Sequence, residues 1–470
     1  MKKVLLVVLA ITIARPLMAE VRLPSLISSN MVLQQQSAAH LWGWAGPADK
    51  VFVTTSWNHK IDSVVASRDA KWSIAIPTPV AGGPYTITIQ SGNTIELQNV
   101  MIGEVWVCSG QSNMEMNAGW GPNALPEMTA ELPGSANSKI RLFQSPRTAA
   151  AYPQDNITGS WKECNEASLK SFSAVGYFFG KSLQNKLDVP VGLINVSWGG
   201  TSADVWTPAE VIQNDLELSA ASRKLTPYAW WPNTPGACYN AMIAPLLQMD
   251  IAGVIWYQGE GNTEISSTYN RVFSAMINSW RRGWNKQFPF YYVQIAPFTY
   301  GGKDAGAILR EQQQATLNLP DVGMVVTTDL VDTITDIHPK QKRAVGNRLA
   351  AMAMSQTYHV DMGNCQSPVF SRMETGKGRV VCYFTHADNG LVIKGATVKE
   401  CYIAGEDRRF VPATVKTEGD HIIVSSTAVA KPVAVRFGYS NAGIGNIFST
   451  EGLPVAPFRT DNWSNAITDK

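Results

Sequence analysis

From residue 21 to about residue 100, apolar and polar side chains alternate in short runs. Lys50-Val51-Phe52-Val53-Thr54, Trp72-Ser73-Ile74-Ala75-Ile76 and Tyr85-Thr86-Ile87-Thr88-Ile89 are examples, and Gly46-Pro47 and Gly82-Gly83-Pro84 interrupt the pattern. Successive side chains of a strand point to opposite faces, so this alternation predicts a β-sandwich-like region over residues 20–100. The middle of the chain reads differently. Continuous apolar runs at 104–108, 191–196, 252–257, 290–295 and 323–327 suit strands buried on both faces. Helical stripes accompany them: Val175, Phe178, Phe179 and Leu183; Val272, Phe273, Met276, Ile277 and Trp280; residues 307–319; and Ala344, Val345, Leu349 and Met352. Strands alternating with helices predict an α/β domain over 101–362, a mostly parallel sheet covered by helices on both faces. Alternation returns from about Pro368, as in Arg379-Val380-Val381-Cys382-Tyr383-Phe384. A second β region therefore spans 363–470, folding separately or packed with the first. Residues 207–240, with Trp230-Trp231-Pro232 and Pro235-Gly236, read as an inserted loop or lid.

Composition narrows the function classes. Of 470 residues, 45% are hydrophobic and 16% charged, so a large core forms. Lys plus Arg number 39 against 37 Asp plus Glu, a balance without the basic excess that nucleic-acid binding needs. Residues 1–19 read as an export signal: Lys2-Lys3, an apolar stretch from Val4 to Ile13, and Leu17-Met18-Ala19 before the cut. That stretch is too short to span a bilayer, and no later one is long enough. The expected location is periplasmic or secreted. Removing residues 1–19 takes away three basic residues and no acid, leaving 36 basic against 37 acidic. The six cysteines (108, 164, 238, 365, 382 and 401) show no CxxC and no zinc-finger spacing, so no structural metal is expected. Cys382 and Cys401 share the second β region as a candidate pair; Cys108 reads as a buried free thiol.

In parallel sheets reactive groups gather beyond the carboxyl ends of the strands. The first buried run breaks into Ser109-Gly110-Gln111-Ser112-Asn113-Met114, and the second into Ser197-Trp198-Gly199-Gly200-Thr201-Ser202. The third ends Gln258-Gly259-Glu260-Gly261-Asn262, and after the last comes Asp332-Thr333-Ile334-Thr335-Asp336-Ile337-His338-Pro339. A serine hydroxyl becomes a nucleophile when a base takes its proton, and histidine titrates nearest neutral pH. An acid beside the histidine fixes its tautomer, and backbone N–H groups hold the developing oxyanion. These pieces describe a hydrolase. GxSxG, GxxxxGK[ST] and a strand-following GxGxxG are all missing from the sequence, so neither a nucleophile elbow nor a phosphate-binding loop is indicated.

These blocks, together with Asn30-Met31-Val32-Leu33-Gln34, Gly103-Glu104-Val105-Trp106, Gly452-Leu453-Pro454 and Pro457-Phe458-Arg459-Thr460-Asp461, resemble the SGNH-type hydrolases. More narrowly, they resemble the sialate O-acetylesterase family and its bacterial carbohydrate-esterase relatives. The resemblance implies an SGNH-like three-layer α/β/α fold and a Ser-His-Asp esterase without metal or organic cofactor. It makes Ser112 the nucleophile and His338 the base, with Asp336 the orienting acid and Asp332 the alternative. It assigns the oxyanion hole to the N–H of Ser112, to Gly200 or its neighbour Gly199, and to Gln258 with Asn262 as fallback. The SGNH pattern has Asn where Gln258 stands and DxxH where this chain has Asp336-Ile337-His338.

Gln111, Asn113, Trp120, Trp198, Trp230, Trp231, Glu260 and Arg310 are substrate-binding candidates. The tryptophans either stack on sugar or pack; Glu260 is a supporting or simply buried carboxylate. Arg310 holds either a substrate carboxylate or a surface salt bridge. The expected partner is an O-acetylated sialic acid or glycan. Two other readings stay open: an acetyl xylan or hemicellulose esterase with the same chemistry, and a non-catalytic glycan-binding protein.

Overall fold

The computed structural model describes residues 19–121 and 125–463; most of the expected export signal lies outside them. Its centre is a sheet of β1 (Asn93–Gly110), β2 (Asn137–Gln144), β3 (Trp161–Cys164), β4 (Val191–Ser197), β5 (Gly253–Tyr257), β6 (Phe290–Val293) and β7 (Val322–Val325), in the order β7-β6-β5-β1-β4-β2-β3. All neighbours are parallel except β3, which runs antiparallel to β2 at the edge. Side chains alternate between two cores. Val105, Val107, Val254 and Trp256 face one, with α2 (Tyr269–Gly283) and α3 (Ala305–Ala315). Trp106, Cys108, Ile255 and Tyr257 face the other, with α1 (Ala174–Leu187) and α4 (Lys342–Gln356). That is the expected three-layer α/β/α arrangement, and each fully buried large apolar side chain contributes about 1.5–3 kcal/mol.

Strand β2 was not expected. Its outer half is polar and partly exposed, which hides it from a search for continuous apolar runs. The N-terminal β region is joined to the catalytic sheet through a shared strand. The first part of β1 pairs with Gly82–Ser91 and Val32–Gln34, and its end lies at the centre of the catalytic sheet. The expected boundary at 100–101 therefore falls inside β1. The C-terminal β region has its own core around Val380, Cys382, Ile403, Ile422, Val435 and Phe437. Among the described residues its docking hydrogen bonds run to the α/β domain, not to the N-terminal β region: Arg459 to Glu311, Tyr439 to Glu311 and Phe298 to Asn441. Cys382 and Cys401 share that core, but all six cysteines are free thiols, Cys108 buried among them.

Register sets up the site. Gly110 pairs with both Ser197 and Tyr257, so three strands end level and release three loops at one rim.

Candidate active site

At the end of β1 the chain must turn without a side chain. Gly110 has φ 134°, and a Cβ there would lie 2.2 Å from the carbonyl oxygen of Tyr257. The Gln111 N–H donates to that same carbonyl at 3.0 Å, and a one-turn helix starts at Ser112. Ser112 thus occupies a first-turn position whose N–H has no intrahelical acceptor. The Gln111 side-chain oxygen accepts from the Gly261 N–H at 2.9 Å, tying the first rim loop to the third.

His338 arrives from the loop preceding α4. Its Nε2 is 2.9 Å from Ser112 Oγ. Asp336 Oδ1 accepts from the His338 backbone N–H at 2.9 Å and stands 3.7 Å from Nδ1. Asp332, the alternative acid, instead accepts from the Lys340 backbone N–H. The rings of Trp120 and His338 meet in a T-shaped arrangement, centroids 5.6 Å apart. Burial, and then the ammonium of Lys342, pull the His338 pKa below its ordinary value, against the opposing pull of Asp336. The ring is therefore neutral, and able to accept a proton, over a wider range than a free imidazole.

The donor set differs from expectation. Gly200 lines the pocket with φ 83°, and a Cβ on it would lie 2.3 Å from the ring of Trp231. Gly199 also lines the pocket, but its N–H already donates to Glu115 at 2.8 Å. Gln258 and Asn262 are fully buried and outside the lining. The Gln258 amide donates to the Thr201 carbonyl and to Asn262 Oδ1, while its oxygen accepts from Tyr269. The Asn262 amide donates to Asp204. Neither side chain offers a donor to the pocket; both brace the loops around it.

Asn113 is no substrate contact either. Fully buried, it donates to Glu260 Oε1 at 2.7 Å and to the Ile337 carbonyl at 3.1 Å. It accepts from the Lys342 ammonium at 2.5 Å. One amide therefore links the residue after Ser112 to the residue before His338. Burial shifts the two flanking charges oppositely: the Glu260 carboxyl upward, the Lys342 ammonium down to about 7. A Lys at position 342, three residues before Val345 and seven before Leu349 on the apolar stripe of α4, is the sequence signal that could have exposed this network.

Ser112 and His338 open into a cavity of about 540 Å³ whose walls include Gln111, Trp120, Trp230, Trp231 and Glu260. The 207–240 segment, which carries short helices at Ala209–Gln213 and Leu216–Ser222, contributes Tyr228, Trp230 and Trp231 to it. Trp198 is half-buried against the core and outside the lining. Arg310 is neither a substrate contact nor a surface residue. It is completely buried, and its two terminal nitrogens donate to the carbonyls of Asn441 and Ser440 in the C-terminal region. Glu115 and Arg147, paired at 2.5 Å, also line the cavity and were not singled out in the sequence.

A family model described as carbohydrate esterase, sialic acid-specific acetylesterase matches residues 102–355. The chain is 31% identical to the human (Homo sapiens) sialate O-acetylesterase over 394 residues, 75% of this chain and 74% of that protein. It is 30% identical to the Pongo abelii sialate O-acetylesterase with the same coverage. Among solved structures, a carbohydrate acetylesterase from Xanthomonas citri is 36% identical and superimposes with a TM-score of 0.86, covering 94% of this chain and all of that one.

Proposed function

This chain belongs to the sialic acid-specific acetylesterase family of carbohydrate esterases, and we propose that it removes acetyl groups from sialic acid hydroxyls through an acetyl-enzyme on Ser112. The observation that carries this reading is the 2.9 Å contact between Ser112 Oγ and His338 Nε2 in an aromatic-walled cavity.

Ser112 Oγ attacks the acetyl carbonyl as its proton passes to His338 Nε2. Asp336 stabilises the imidazolium, and the N–H groups of Ser112 and Gly200 hold the oxyanion. His338 then protonates the departing sugar oxygen, leaving acetyl-Ser112. Water loses a proton to His338, attacks the acetyl carbon, and acetate leaves as Ser112 regains its proton. Asn113 holds the two partners in register throughout.

Export before action is part of the proposal, supported by the Lys2-Lys3 and 4–13 pattern. Among the described residues no helix is long and apolar enough to cross a membrane. The test is acetate release from O-acetylated N-acetylneuraminic acid beside acetylated xylan. Faster release from the sialic acid supports the proposal; release from xylan alone replaces it with the hemicellulose reading.

A further inference from the structure

A sialic acid differs from the neutral sugars that share its acetyl esters by carrying a carboxylate. Once its ester sits at Ser112, that carboxylate remains within the same monosaccharide, so a group recognising it must stand in the same cavity. Among the described residues that line the cavity, Arg147 is the one permanent cation. Its Nε donates to Glu115 Oε1 at 2.5 Å, and Glu115 Oε2 accepts from the Gly199 N–H at 2.8 Å. Glu115 stands beside the nucleophile: a Cβ on Gly199 would meet Glu115 Oε2 at 3.1 Å and Ser112 Cβ at 3.2 Å.

Arg147 is thus anchored one side chain away from Ser112. Its terminal nitrogens hydrogen-bond to no protein group among the described residues, and its side chain is half exposed. The other two lining acids are each hydrogen-bonded through one oxygen, and Glu260 Oε2 has no hydrogen-bond partner among the described residues. Glu264 accepts from the backbone and hydroxyl of Thr226, and Glu260 accepts from Asn113. A planar guanidinium with free N–H groups pairs with a carboxylate through two parallel hydrogen bonds.

We propose that Arg147, oriented by Glu115, receives the sialic acid carboxylate and sets a preference for acidic over neutral sugar esters. The inference rests on the sialate reading above. It is tested by kcat/KM for O-acetylated N-acetylneuraminic acid and for its methyl ester, whose carboxylate charge is removed, in the wild type, Arg147→Met and Arg147→Lys. The wild type should favour the free acid by about tenfold, the lower end for a charge-assisted contact that is half exposed. Arg147→Met should bring the ratio to about one, with Arg147→Lys in between; unchanged melting temperatures are expected because the side chain is at the surface. Equal wild-type rates on both esters, or a ratio that survives in Arg147→Met, overturn the inference and leave the esterase reading standing. Cleavage of acetylated xylose with neither sialic acid ester turned over overturns the sialate reading and this inference with it.

Discussion

The ammonium of Lys342 lies 2.5 Å from the side-chain oxygen of Asn113, sealed from solvent beside the nucleophile. Its pKa is about 7 in the folded protein against an ordinary 10.5, chiefly through burial. Between those two pH values the unfolded chain holds this proton and the folded chain does not, so this site makes the protein more stable as pH rises. Relative to Lys342→Met, the wild type should gain unfolding free energy across that window, measured by denaturant titration at several pH values. Parallel curves would show that Lys342 does not titrate this way.

The same lysine acts on His338. Because burial and Lys342 both lower the His338 pKa, the acid limb of kcat/KM should fall below about pH 6.5, the ordinary imidazole value. Activity is retained above the limb and lost below it as the base takes up a proton. Lys342→Met removes a positive charge and should move the limb to higher pH. A pH–rate profile of the two proteins decides this.

Asp336 stands 3.7 Å from the imidazole and is 43% exposed, where solvent weakens its pull. Asp336→Asn should therefore lower kcat by less than the ~10⁴-fold seen where a buried acid orients the histidine, and should lower the acid limb. Steady-state kinetics check both.

Gly200→Ala should cost about a hundredfold in kcat with a smaller change in KM, the scale of losing one oxyanion donor. The added methyl would lie 2.3 Å from Trp231 at a backbone φ of 83°, so the loop must shift and carry its N–H with it. Full activity in this variant would remove Gly200 from the oxyanion hole.

The legible part of this protein is the part that periodicity and chain order encode. Alternating runs marked the outer β regions, buried runs marked five of the six parallel strands in the central sheet, and strand ends pointed to Ser112 and His338. The illegible part is set by partners distant in sequence. Gln258 and Asn262 stand at a strand end like donors, but Thr201, Tyr269 and Asp204 claim their polar atoms. Arg310 looks like a free cation until the carbonyl of Ser440, 130 residues on, folds over it. Arg147 follows a strand whose polar start concealed it, and its carboxylate partner, Glu115, stands 32 positions earlier.

The most direct measurement is of the covalent intermediate. Enzyme quenched in acid while turning over O-acetylated N-acetylneuraminic acid is digested and its peptides weighed. One added acetyl group is expected, on the peptide carrying Ser112, and neither acetylation nor appreciable acetate release in Ser112→Ala. Acetate released by Ser112→Ala at the wild-type rate would contradict it.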